Sequence, residues 1–406
     1  MGTYKKMSHM RIVCLIMMTA SMVTLAQENK STGFKFNNLT VSPFVNLEYT
    51  YDSNVDSDRN ALKDSILRVN PGVDLSYKGN DWGLMGNGWF AYDKYVKYNT
   101  LDALSYGDTV SVYKETASGW RLVLGQSYLK DSQDDSIIDG GRGIWRNREQ
   151  MSLNSALSYK VSDKTKVTLT GLYTDLNYVN DTKKYTAPLY GWSEEALGLE
   201  VARKITEKSS LLVNGGYQAY TSAGAGKGVN SDSTGCSLMA GLGSAATQKI
   251  FYHVLTGYTW FDYAGGNQMG GGDQMGGWTY SLDSSWVINK KWAATIAGSS
   301  YFQPSEDIQN QASKITMLSA GLTYRPARKL TTKLDIAGRR EEDQISTAID
   351  QPGTLDYFSV RTRADYELMR FASLYASVEY QTESSPDDND TGFDKIRATL
   401  GVNLKY

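Results

Sequence analysis

The stretch Ile396-Arg-Ala-Thr-Leu-Gly-Val-Asn-Leu-Lys-Tyr406 alternates residue by residue. Ala398, Leu400, Val402, Leu404 and Tyr406 fall on one face, and Arg397, Thr399, Asn403 and Lys405 on the other. Side chains in a strand alternate between faces, so this is a strand with one apolar and one wet side. It also ends on an aromatic residue, as expected of a last strand read by the machinery that assembles barrels into the outer membrane.

The same period recurs upstream. Leu67, Val69, Pro71, Val73, Leu75 and Tyr77 oppose Arg68, Asn70, Asp74 and Ser76. Met151, Leu153, Leu157 and Tyr159 share one face. Leu330, Leu334 and Ile336 oppose Lys329, Lys333 and Asp335, while Phe358, Val360, Ala364 and Tyr366 oppose Ser359, Arg361, Arg363 and Asp365. No segment has a helical period.

Connection lengths also alternate. Short turns are expected at 162–164, 206–208, 247–249, 289–291, 326–328 and 369–370. Long polar segments are expected at 131–145, 179–192, 222–233, 264–276, 304–312, 342–354 and 384–392. Short turns facing the periplasm and long loops facing outward are the layout of an outer-membrane barrel. The fold expected is therefore all-β: a transmembrane antiparallel up-and-down barrel over 39–406. About 18 strands are counted, or 16 if region 98–118 is one irregular loop. Aromatics near strand ends would form the interfacial girdles: Tyr77, Trp82, Tyr92, Tyr95, Tyr98, Trp260, Tyr263, Trp286 and Trp292.

The first residues have a different composition. Lys5, Lys6 and Arg11 precede the uncharged run Ile12–Leu25, and Thr24-Leu25-Ala26 supplies small residues at a cleavage position. The run is shorter than the ~20 residues of a spanning helix, so residues 1–26 are expected to be a secretory signal peptide. Residues 27–38 would be a periplasmic N-terminal segment. Of 2 cysteines only Cys236 lies beyond the leader, so no disulfide framework is expected. The 42 basic and 44 acidic residues nearly balance, which gives no nucleic-acid signature.

At Val41-Ser-Pro-Phe-Val-Asn-Leu-Glu-Tyr-Thr-Tyr-Asp-Ser-Asn-Val55 the chain resembles the outer-membrane β-barrel porin family. Members open with a strand ending Tyr-Asp-x-Asn-Val, followed by a loop and a second strand like Leu67–Tyr77. The resemblance implies an outer-membrane barrel, sometimes associated with exopolysaccharide export. It implies no catalytic residues.

The residues themselves supply little chemistry. His253 is the only histidine after the leader, so a multi-histidine metal site is excluded. No serine motif stands beside it for a hydrolase. His253 is read as a girdle residue, and no enzyme activity, metal or cofactor is expected. Two acidic stretches, around Asp131, Asp134, Asp135 and Asp139 and around Asp387, Asp388, Asp390 and Asp394, lack the spacing of a calcium loop and are read as solvated charges or as bridges to surface cations. The glycine-rich 265–277 is read as a floppy outer loop.

By the alternation, Arg68, Asp74, Lys333, Asp335, Arg339, Arg361, Arg363, Asp365, Glu367, Glu379, Arg397 and Lys405 face the lumen. Leu400, Val402, Leu404 and Tyr406 form the assembly signal. Mixed lumen charges suit either a transverse field for polar solutes or an ion-pair network that stiffens the wall. Arg361, Arg363 and Arg397 sit on near-neighbour strands and could take an anionic sugar or a carboxylate. The function expected is a porin-like channel for small polar solutes. An exopolysaccharide duct and a structural or adhesive barrel with a filled lumen are the alternatives. Partners would be outer-membrane lipid and lipopolysaccharide, the barrel assembly machinery, and the solute or polysaccharide. Trimers are common among porins of this size, but no stretch of sequence marks an interface.

Overall fold

The structure, a computed structural model, describes residues 33–55, 57, 61–134, 145–179, 191–222, 232–244, 249–263, 274–304, 311–345, 354–384 and 392–406. The expected leader 1–26 lies outside the described residues. So do segment 264–273 and the acidic positions Asp135, Asp139, Asp387, Asp388 and Asp390.

Among the described residues there are nineteen strands. They are β1 Phe34–Phe36, β2 Leu39–Asp52, β3 Asp64–Lys78, β4 Trp82–Tyr95, β5 Ala103–Glu115, β6 Trp120–Asp134, β7 Trp145–Lys160, β8 Thr165–Val179, β9 Trp192–Lys204 and β10 Ser209–Ser222. They continue as β11 Ser233–Ser244, β12 Ile250–Tyr263, β13 Gln274–Val287, β14 Trp292–Pro304, β15 Gln311–Ala327, β16 Leu330–Ile345, β17 Thr354–Met369, β18 Ala372–Ser384 and β19 Gly392–Lys405. The eighteen strands β2 to β19 each pair antiparallel with their sequence neighbours, and β19 closes on β2. Closure removes the sheet edges that would otherwise expose backbone donors and acceptors in lipid. Region 98–118 resolves into a single 3-10 turn, Asn99–Leu101, followed by β5, so the count is 18 rather than 16.

Three of the short turns share one device. Ser162 Oγ accepts from the amides of Lys164 and Thr165 at 3.3 and 3.1 Å. Thr206 Oγ1 accepts from Lys208 and Ser209 at 3.1 and 3.0 Å, and Asn289 Oδ1 from Lys291 and Trp292 at 2.8 and 3.1 Å. A short polar side chain thus supplies the acceptor that the reversing backbone lacks.

The outer face is apolar between two aromatic belts. At the short-turn end, rings pair: Tyr77 lies tilted against Trp82 at 4.4 Å, while Trp120 stacks on Tyr159 at 4.3 Å and Trp292 on Tyr324 at 4.1 Å. At the long-loop end Phe90, Tyr92, Tyr258, Trp260 and Trp278 are exposed. On β13 the belts stand at Trp286 and Trp278. Eight residues cover about 26 Å along the strand, or about 20 Å along the axis at a tilt of about 40°, close to the ~25 Å apolar band of such barrels.

Two girdle assignments are corrected. Tyr95 is buried, because its strand position is that of the inward Asp93 and Ala91. His253 shares the inward face with buried Leu255 and Phe261, and its Nε2 lies 3.3 Å from Glu200 Oε2. The N-terminal segment also gains structure. β1 pairs with the start of β2, and Phe34 stacks on Tyr406 at 4.6 Å.

Candidate functional site

Cross-strand partners share a face, so the register of the ladder locates the inward side chains. Exposed Ile336, Tyr380, Ile396 and Leu400 lie on the outer face. The alternate positions build charged rows across the inner wall. One row runs Asp335↔Arg361↔Glu379↔Arg397↔Asp52 over β16, β17, β18, β19 and β2. Its sign changes at every step. A second row joins Lys333 to Arg363, and a third runs Asp365↔Tyr375↔Gly401↔Glu48↔Arg68↔Asp93.

The pairs are close. Arg68 meets Asp93 with Nε on Oδ1 at 2.5 Å and Nη2 on Oδ2 at 2.6 Å. Arg363 Nη2 donates to Asp365 at 2.7 Å, and its guanidinium lies 3.9 Å from the centre of the Tyr375 ring. Lys405 Nζ donates to Asp74 Oδ2 at 2.6 Å, and Asn87 donates to the other oxygen at 2.5 Å. Arg339 and Glu341 pair at 2.8 Å, both buried. Arg361, Arg363 and Arg397 therefore do not form an open anion patch, because each stands against an acid. Glu367, at the short-turn end of β17, is exposed.

An asymmetry follows the barrel axis. Toward the short turns Lys333, Asp335, Arg361 and Glu367 are exposed. Toward the long loops Arg339, Glu341, Gln381, Glu383 and Lys395 are buried. On this sector of the wall the charged side chains are open toward the short turns and packed toward the long loops.

The packed end centres on Asp52. This carboxylate is fully buried and accepts from Arg397 Nε at 2.7 Å and from the Asn54 amide at 2.9 Å. Lys395 Nζ lies 3.5 Å away and donates to Ser57 Oγ at 2.8 Å. Asn54, Val55 and Ser57 are buried with it, so the chain after β2 folds against the inner wall. Asp64 then anchors the next connection, accepting from the amides of Lys97 and Tyr98 at 3.0 Å each. The segment Tyr51-Asp52-Ser53-Asn54-Val55 thus has a physical role: Asp52 holds the turn and neutralises two cations.

Sequence reasoning missed Glu48, Asp52, Asp93 and Lys395. The alternation could have found them, since Asn46, Glu48, Thr50 and Asp52 oppose Leu47, Tyr49 and Tyr51. Asp131, grouped with a solvated loop, lies in β6 instead and binds Arg148 through both oxygens at 2.7 and 3.1 Å. Asp394 lies in β19 and accepts from Tyr380 Oη at 2.7 Å. Among the described residues no cluster of His, Cys, Asp and Glu has the geometry to hold a metal.

No family model matches the sequence, and no curated protein does. Solved structures resemble the chain. The FrpB iron transporter from Neisseria meningitidis (F5-1 variant, apoprotein form) does so with a TM-score of 0.47 and 10% identity, over 92% of this chain and 82% of that one. The siderophore receptor PirA from Pseudomonas aeruginosa gives a TM-score of 0.43 and 8% identity, over 90% and 80%. The copper transporter OprC gives 0.45 and 13%, over 88% and 65%. At these identities the likeness is one of barrel shape alone.

Proposed function

We propose that this chain is an outer-membrane channel that passes small polar solutes along its charged wall. The observation that carries this reading is the sign-alternating row Asp335, Arg361, Glu379, Arg397 and Asp52, which ends among buried groups but opens onto exposed Lys333 and Asp335. Opposed charges on a lumen wall orient dipolar solutes, and eighteen strands leave room for an aqueous path. The apolar belt-to-belt band supports a membrane-spanning barrel, which in this reading has the long loops outward and the short turns toward the periplasm. Leu400, Val402, Leu404 and Tyr406 serve as the assembly signal in this reading.

Burial at the long-loop end favours a second reading, a structural barrel with a filled lumen. Planar-bilayer recording with refolded protein separates the two. The channel gives discrete current steps in potassium chloride; a silent bilayer with correctly folded protein removes the channel and leaves the filled barrel.

A further inference from the structure

The ladder between β13 and β14 stops early. β13 and β14 pair from Val287↔Ala293 to Tyr280↔Ser300. Both strands continue beyond that point. Gln274–Thr279 remain on β12, and Tyr301–Pro304 remain on β15, but the two no longer pair with each other. Other strand pairs joined by short turns zip to their far ends: Asn147↔Val179, Ser222↔Trp192, Ser233↔Tyr263 and Gln311↔Ile345. β5 and β6 part likewise beyond Tyr106↔Lys130, so what sets the β13–β14 seam apart is the side chain that fills it. Four residues of strand amount to about 13 Å of open wall.

Phe302 occupies the gap. Its register partner is Lys314, on the same outward series as exposed Leu318. Yet Phe302 is only 4% exposed, and its ring stands edge-on to inward-facing Phe261 at 6.3 Å. It lies over Gly277, where an added Cβ would sit 2.7 Å from the ring's Cζ. Glycine at 277 is what lets the ring cross the wall, the use of a strand glycine where another group approaches closely.

Behind the ring lies a cavity of about 530 Å³, in the size range of small-molecule sites. Leu212, Met239, Leu255, Phe261 and Tyr301 line it. Ser299 Oγ, buried at the foot of the seam, meets no hydrogen-bonding group among the described residues. On the outside, Trp278 is 68% exposed and meets Tyr258 edge-on, so the gap opens at the level of the aromatic belt. The side of the cavity next to the ring is apolar, while Arg121, Lys166, Glu200, His253 and Asp283 line it toward the short turns.

We infer that the β13–β14 seam is a lateral port, closed by Phe302, through which a single-chain amphiphile passes its alkyl chain between the membrane interface and the apolar side of this cavity. The slot is a parting of two strands, which suits one extended chain; its lining is apolar, and its mouth faces the interface where such molecules reside. The port is separate from the polar path along the charged wall.

The test uses the full chain refolded into lipid nanodiscs and dodecanoate carrying a photoreactive group at the chain end. Peptide mapping after illumination is expected to find saturable labelling at Leu255, Phe261 or Phe302, displaced by plain dodecanoate. Phe302→Ala should speed that labelling several-fold, and Gly277→Val, whose side chain would push the closing ring out, should speed it too. Labelling confined to lipid-facing residues such as Leu238 and Trp278, undisplaced by dodecanoate, overturns the port even if neither variant folds. Potassium chloride conductance of the same preparations reports the polar path independently, so either reading can fail alone.

Discussion

At the scale of single residues, Asp52 carries the largest electrostatic burden. It is buried with Lys395 and takes a hydrogen bond from Arg397. Removing one member of a buried ion pair strands the other charge, at a cost of about 3–5 kcal/mol. Asp52→Ala should therefore lower the unfolding free energy, read from urea titration of the refolded barrel, by that amount. The double variant with Lys395→Met should recover a substantial part, because the stranded cation is gone. Equal losses in single and double variants would show that Asp52 acts only by holding the Asn54 turn. A milder, pH-dependent case lies in the 96–102 connection. Lys94 donates to Asp102 at 2.5 Å and the Tyr95 amide at 2.8 Å, and these bonds hold the Asp102 pKa below the usual carboxylate range. A lowered folded pKa stabilises the connection at pH above the ordinary value of about 3.9, and that contribution fades as pH falls through the lower folded value. Hydrogen exchange at the Tyr95 amide should thus be protected at neutral pH and lose protection in acid. Asp102→Asn should lack the pH-dependent step.

At the scale of strands, most of the fold could be read from the sequence. The faces of β2 and β3 follow the alternation, because within the apolar band the two faces differ sharply: Leu47, Tyr49 and Tyr51 against Asn46, Glu48 and Thr50. Above the belt that contrast vanishes. Arg339, Arg340, Glu341 and Glu342 put charge on both faces, so the extension of β16 to Ile345 left no periodic trace. The same holds for Gln274–Gly276, which were grouped with a loop but begin β13. Pro71 interrupts the β3–β4 ladder between Val69↔Tyr92 and Gly72↔Trp89, since proline has no N–H to give. Asn70 Nδ2 substitutes by donating to the Phe90 carbonyl at 2.6 Å. The inward fold of Asn54, Val55 and Ser57 was not legible, because it depends on Lys395 and Arg397, more than 300 residues away. The terminal strand yields its own prediction. Tyr406 donates its amide to the Pro43 carbonyl at 3.0 Å and stacks on Phe34, where the barrel closes. Deleting Tyr406 should reduce the folded fraction in outer-membrane preparations, measured by gel mobility before and after boiling. Tyr406→Phe, which keeps ring and amide, should restore it.

At the scale of the whole molecule, the wall from β16 to β4 is built of charged rows, while β8 to β15 mix apolar Leu212, Leu255 and Phe261 with Lys166, Glu200, His253 and Asp283. Along the charged sector the acids and bases nearly cancel pairwise. A solute moving through therefore meets a field across the pore rather than a net potential along it. Selectivity between cations and anions should accordingly be weak in the natural chain and easy to shift. The side chains to change are those exposed toward the short-turn end, Lys333 and Arg361, because buried Arg339 and Lys395 hold the packed end together. Lys333→Glu with Arg361→Glu replaces two lumen cations by anions while leaving that packed end intact. The reversal potential in a potassium chloride gradient should move toward the potassium value. The shift should shrink as salt rises, since charges are screened over about 10 Å at 0.1 M and about 3 Å at 1 M. An unchanged reversal potential, with conductance intact, would mean that ions take a path away from this wall and that the alternating row serves only to brace the strands.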